Sequence, residues 1–260
     1  MSRKSIIGPC RLCRQQTVLV EGHIISNFSY KPLKEKEGLF YIISTDPQKK
    51  ELKRQKGLTE NLLCAKCDNE RLGGNERHLA EVLFGGHPLD GEQDGRVLRV
   101  RGYDYQKVKN GLLSILWRMS ITSLPYFKDV QLGPKHEDAI RQALLLDSRF
   151  AEEEYPILLT APFFDGQHLG DWILPPDPAR VGNNRVYRCL ISGLIFTFFV
   201  GSARLDDKLR PLILRQNEWP ILKADVTEIP FLFEACRQLG KAQAIRDGII
   251  PTTSQEIAST

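Results

Sequence analysis

Apolar and polar positions divide the 260-residue chain into two unequal parts. In the first, Thr17-Val18-Leu19-Val20 and the aromatic and β-branched run over 38–44 predict strands, the second ended by Asp46-Pro47. A mostly polar stretch over 68–84 predicts a helix, weakened by Gly73-Gly74 and stopped by Gly85-Gly86-His87-Pro88. Residues 89–95 are turn-rich and close this part. In the second, 97–100 predicts a strand, and Val108, Leu112, Ile115, Leu116 and Met119 recur at helical spacing in a helix over 105–124. Pro125 and Gly133-Pro134 punctuate, and a second helix follows over 136–146. Residues 157–160, 186–192 and 194–200 predict strands, 162–184 a long Pro/Gly/Asp-rich connection, and 230–246 a last helix. The expected fold class is α+β: an N-terminal module over 1–92, a mixed helix-and-strand domain over 93–250, and a disordered tail over 251–260.

Two Cys-x-x-Cys pairs change this picture. Cys10-Arg-Leu-Cys13 and Cys64-Ala-Lys-Cys67 offer four thiolates from two tight turns, a closed tetrahedral set for a structural Zn²⁺. The 50 residues between the pairs exceed a compact zinc ribbon, so they must fold, and the strands above supply the means. A second knuckle running directly into a helix fits a treble clef. Cys189 and Cys236 lie in apolar surroundings and read as core. His168 with Asp165 and Asp171 is a weak second metal cluster whose plainer reading is a polar loop. His136 reads as a first-turn helix residue.

Charge is uneven. Residues 1–80 carry 15 Lys/Arg against 9 Asp/Glu, and the remainder 21 against 23. A basic N-terminal third, concentrated in Lys49, Lys50, Lys53, Arg54 and Lys56, suits phosphate-backbone contact; its bland alternative is a solvated loop. No apolar run reaches the roughly 20 residues of a membrane span, and the N-terminus lacks a secretory apolar core. The expected location is therefore cytoplasmic, with reduced thiols. P-loop, dinucleotide and nucleophile-elbow motifs are absent from the sequence.

The order Cys-x-x-Cys, His23-Ile24-Ile25, Asn61-Leu62-Leu63, Cys-x-x-Cys resembles the zinc-containing HNH endonucleases over about residues 8–80. The layout is also similar to bacterial HNH-type proteins of unassigned or phage-defence context. The resemblance implies a ββα-metal module in which His23 is the general base and Asn61 supports its imidazole. Asp68 takes the place of the family's final metal-binding His and would hold Mg²⁺ or Mn²⁺. Asn69, Glu70 and His78 are reserves on the same helix. Where the family sets an Asp or His ligand before the base, this chain has Gly22, for which Glu21 is the nearest substitute.

The expected activity is metal-dependent hydrolysis of DNA phosphodiesters, with DNA as the partner and an ATPase or other defence-system subunit as a possible activator. The rival reading is a non-catalytic zinc treble clef that binds nucleic acid or protein, its divalent site lost through Gly22 and Asp68.

Overall fold

The computed structural model describes residues 5–201 and 203–249, so the tail expected to be disordered lies outside the described residues. The chain begins with β1 (Ile6–Pro9), β2 (Gln16–His23), the short pair β3 (Phe40–Ile42) and β4 (Leu52–Arg54), and β5 (Thr59–Cys64). A π-helical turn, Lys66–Leu72, leads without a break into α1 (Gly73–Phe84). There follow β6 (Asp90–Asp94), β7 (Val97–Arg101), α2 (Tyr105–Ile121), α3 (Pro134–Leu146), β8 (Ile157–Phe164), β9 (Gln167–His168), β10 (Asp177–Val181), β11 (Asn184–Ile191), β12 (Leu194–Val200), β13 (Trp219–Asp225) and α4 (Pro230–Arg246). The fold is α+β, as expected.

Three sheets result. β1-β2-β5 is a small antiparallel sheet, and β3-β4 is a two-stranded ribbon. The large sheet runs β10-β11-β12-β8-β13-β7-β6, with β9 paired to β8 and only the β8–β13 pair parallel. α2 is the spine between the small and large sheets. The expected stripe of Val108, Leu112, Ile115, Leu116 and Met119 is buried, and so are Leu113 and Trp117 on its flanks. A helix apolar on most sides must be covered on most sides; α1 and α3 pack along it.

The expected boundary at 92 falls inside β6, which pairs with β7 through a turn at Gly95. One buried cluster runs across it, from Leu72, Leu79 and Val82 of the first part to Leu112, Ile115 and Trp117 of the second. Both parts therefore share a core.

Departures from the expected elements have local causes. α2 ends at Ile121, short of 124, because Pro125 holds Leu124 in extended conformation. A strand for which no element was expected, β1, precedes the first cysteine pair. The turn-rich segment and the long connection each hide an edge strand, β6 and β10, made of Asp-Gly-Glu-Gln-Asp and Asp-Pro-Ala-Arg-Val. Edge strands tolerate Pro and exposed polar residues. β13 carries Pro220, yet lies inside the sheet. Pro220 pairs only with Arg99 of β7, and the β8 pairing begins one residue later at Ile221.

At the α1–α2 crossing, a Cβ on Gly111 would stand 3.2 Å from Asn75 O and 3.2 Å from Leu79 Cδ2. Gly111→Val should force the helices apart and cost about 2–3 kcal/mol. Urea unfolding measures it; an unchanged midpoint would refute close packing at this crossing.

Candidate metal centre and the histidine beside it

The four-sulfur set forms because two turns meet. Cys10 and Cys13 lie in the β1–β2 turn, where Arg14 adopts φ +63° and its N–H donates to Cys10 O at 2.8 Å. Cys64 ends β5 and Cys67 opens the π-helical turn. The Sγ atoms of all four lie within 4.8 Å of one another. Cys64 N–H donates to Cys10 Sγ at 3.4 Å, and Arg11 N–H to Leu62 O at 2.9 Å, so each knuckle grips the other.

The donor chemistry fits a soft divalent ion such as zinc, with four sulfurs and no carboxylate. Burial opposes ionisation of Cys10, but N–H groups of Cys13, Cys64 and Leu12 pull its thiol down to about 7. Burial and the neighbouring sulfurs push Cys67 up. Four thiols crowded this way gain by sharing a cation, which displaces their protons. A closed sulfur set would leave no open coordination position, the arrangement expected of a structural rather than a catalytic ion.

The staple sets up its neighbour. β2 leaves the first knuckle and ends at His23, and β5 returns antiparallel into the second, with Leu19 opposite Cys64 and His23 opposite Thr59. The register shifts between Val20 and Gly22. Asn61 sits in this stretch of β5, and its Nδ2 donates to Leu19 O at 3.4 Å. Among the described residues no hydrogen bond joins Asn61 to His23, so the expected support of the imidazole is not present. The Nε2 atom of His23 is buried and has no hydrogen-bond partner.

Asp68, one residue past Cys67, is brought to Gly22. A Cβ at Gly22 would stand 3.0 Å from Asp68 Oδ1. The space beside residue 22, where the HNH pattern sets a ligand, is thus taken by a carboxylate from the helix. Burial pushes the Asp68 carboxyl up, with Arg118 opposing and Glu76 adding to the effect. Glu21 is exposed and engaged elsewhere, accepting from Thr59 Oγ1 at 3.0 Å and pairing with Lys56 at 3.3 Å. Asn69 and Glu70 are exposed.

Two residues were not foreseen. Glu76 of α1 pairs with Arg118 of α2, and the guanidinium is 3% exposed. Arg118 also donates to His23 O at 2.9 Å and to Ser26 Oγ at 3.2 Å. Glu60 of β5 clasps the end of α2 nearby, accepting from Thr122 Oγ1, from Ser123 N–H at 3.0 Å and from Ser123 Oγ at 2.7 Å. Burial, then the Arg118 charge, holds the His23 imidazole below the usual histidine value. The only sequence signal for Arg118 was a cation inside an apolar run, flanked by Trp117 and Met119.

The basic residues lie on the β3–β4 ribbon and its flanks, all exposed. Lys53 stands over the Tyr41 ring at 5.1 Å, and Lys49 pairs with Asp46 at 3.6 Å. An aromatic chain ties the ribbon to the site: Phe40 to Tyr30 at 5.4 Å between centroids, then Tyr30 to His23 at 6.1 Å.

His78 belongs to a different cluster, with Glu81 and His87, whose donor atoms lie within 4.8 Å of one another. Its Nε2 accepts from Asp104 N–H at 3.0 Å, so a neutral ring carries its proton on Nδ1. His87 Nε2 bonds Gly102 O at 2.6 Å and must be the donor. With no lone pair at Nδ1 of His78, this cluster is a hydrogen-bonded brace rather than a metal site. His168 bonds Gly193 O at 2.9 Å, and the expected grouping with Asp165 and Asp171 does not form.

No protein-family model, curated protein or solved structure matches this chain. Cys64→Ser should abolish binding of the single expected zinc and destabilise the protein on the order of 5 kcal/mol. Metal analysis together with denaturant unfolding checks this, and full stability without metal would sink the structural role.

Proposed function

We propose that this chain is a zinc-stapled, HNH-like endonuclease acting on double-stranded DNA. The observation that carries the reading is the unpartnered His23 Nε2 at the end of β2, next in the chain to the glycine against which Asp68 lies. A strand ends in a histidine with a buried, partnerless Nε2, and the following helix sets a carboxylate against the residue just before it. Asp68 would hold Mg²⁺ or Mn²⁺ through hard oxygen donors. When bound, such an ion stabilises charge on the phosphate and the leaving oxygen.

The residues divide the remaining work. His23, kept neutral at pH 7 by burial and by the Arg118 charge, accepts a proton from the attacking water at Nε2. Lys50, Lys53 and Arg54 on the exposed ribbon contact backbone phosphates, and a two-stranded ribbon is narrow enough to enter a DNA groove. The anchored Phe40–Tyr30–His23 chain keeps that contact next to the base.

A second reading has its own support. Glu76 is already paired with Arg118, and among the described residues no third donor joins His23 and Asp68 in one metal-sized cluster. On that reading the module binds DNA or protein without cutting.

Supercoiled plasmid with Mg²⁺ or Mn²⁺ tests the two. Nicking is expected, abolished by EDTA and lowered roughly 10²- to 10⁴-fold by His23→Ala. Its rate should rise with pH as His23 loses its proton, along a limb centred below the ordinary 6.5, and be flat at neutrality. Lys53→Ala with Arg54→Ala should weaken DNA binding and reduce its salt slope by about 2. A zinc-loaded protein that shifts DNA but never cuts it would establish the binding module instead.

A further inference from the structure

A cavity of about 270 Å³ lies at the end of β12, and none of its lining residues has a role in the sites described above. Phe199 and Leu205 form its apolar part and belong to a small buried cluster. Asn184, Arg204, Arg210 and Glu153 form its polar part. Two of these lack partners. Asn184, the first residue of β11, is 5% exposed, yet its side-chain amide makes no hydrogen bond among the described residues. That amide lies against the end of β12, where a Cβ on Gly201 would stand 2.9 Å from Asn184 Oδ1. Arg210 Nε is buried and has no hydrogen-bond partner. Its guanidinium has only long ion pairs, 3.7 Å to Glu153 and 3.8 Å to Asp207. Arg204 donates to the same Asp207 oxygen at 3.0 Å, so the two guanidinium groups stand together at the cavity.

A polar side chain closed off from bulk water costs free energy until something completes it. The nearby carboxylates do not complete Arg210. Glu153 and Asp207 are exposed, and ion pairs that open to water are weak. A group with several oxygens on one centre can accept from Arg210 Nε–H, from Arg204 and from Asn184 Nδ2 together. Phosphate has that shape, and a guanidinium fork is matched to it. The cavity is close to the lower end of small-molecule pockets, roughly 300 Å³, and has room beyond a phosphate group. We propose that this cavity binds a small phosphate-bearing molecule. Arg210, Arg204 and Asn184 hold the phosphate, Phe199 and Leu205 lie under the rest of the molecule, and Glu153 accepts from its hydroxyl groups. The site is independent of His23 and of the nuclease reading.

Isothermal titration calorimetry of the zinc-loaded full chain with ribose 5-phosphate tests this, with ribose as the uncharged comparison. Ribose 5-phosphate should bind saturably with a Kd on the order of 1 mM or below, and ribose should not bind. Arg210→Gln removes hydrogen bonds to a charged group and should weaken binding about ten- to a hundredfold. Asn184→Asp keeps the size of the side chain, sets a negative charge against the phosphate, and should weaken binding by about tenfold or more. Arg204 is exposed, so a several-fold loss in Arg204→Gln cannot come from unfolding. Arg237→Gln removes an exposed arginine of α4 that does not line the cavity, and should leave affinity unchanged.

The absence of saturable binding up to about 10 mM overturns the proposal, as does binding of ribose with equal affinity. Unchanged affinity in a folded Arg210→Gln also overturns it. An equal loss in Arg237→Gln would reduce the effect to general charge attraction, with the same consequence. A 5′-phosphorylated oligonucleotide that binds tighter than ribose 5-phosphate, and loses that margin in Arg210→Gln, would assign the cavity to nucleic acid and sink the small-molecule site.

Discussion

Everything near His23 depends on two turns being held together by four sulfurs. Fifty residues separate Cys13 from Cys64, and closing a loop of that length has an entropic cost that grows with the logarithm of its size. The strand pair β2–β5, the knuckle hydrogen bonds and the burial of Ile24, Ile25, Tyr30 and Phe40 in the core oppose it. A cation shared by the sulfurs would add a restraint and, by joining Cys10 to Cys64, would favour the observed register of β2 on β5. Because register moves side chains between faces, the positions of His23 and Asp68 follow from it. Asp68 is adjacent to Cys67 and has little freedom of its own. Its carboxylate lies against Gly22 only because residue 22 carries no side chain, and even an alanine there would meet Asp68 Oδ1 at 3.0 Å.

The seam between the two parts is where polar and apolar forces meet. Gly111 lets α1 approach α2 closely, which buries apolar surface but carries Arg118 and Glu76 inward with it. A buried ion pair is not a reliable source of stability, since desolvation offsets most of the Coulomb attraction. What it contributes is selectivity, because any other docking of α2 would strand a charge. The Glu60 clasp on Thr122 and Ser123 adds a second polar fix at the end of the same helix. Both fixes act on the elements around His23, so its surroundings are determined by the second part of the chain as much as by the cysteine knuckles.

How much could be read from the sequence varied with the kind of signal. The knuckles were legible because x₂ spacing between thiols has few other uses, and their four sulfurs do converge. The periodic helices were legible because burial imposes a 3.6-residue period, and α4 occupies the expected 230–246. Edge strands β6 and β10 were hidden because an edge demands neither apolar alternation nor freedom from proline. β13 was hidden because Pro220 reads as a break unless it is known which neighbour pairs there. Around His23, the place of Asp68 followed from its adjacency to Cys67, whereas the contacts of Glu76 and Arg118 could not be read. Their contact joins two residues 42 apart in the chain across a helix crossing, and no local pattern records a contact of that kind.

The two histidine clusters show why proximity alone does not make a site. His78, Glu81 and His87 form the tighter grouping, with donor atoms mutually within 4.8 Å, yet His78 spends its one lone pair on Asp104 N–H, which leaves His87 Nδ1 and the Glu81 carboxylate as the remaining donors. His23 has the looser surroundings, but its Nε2 is buried with nothing to bond. A buried polar atom without a partner costs free energy, and folds tolerate one where something else completes it. Chemistry is therefore more plausible at the unsatisfied histidine than at the better-filled cluster. That ranking follows from the direction of each hydrogen bond, whereas a count of nearby ligand-type residues would reverse it.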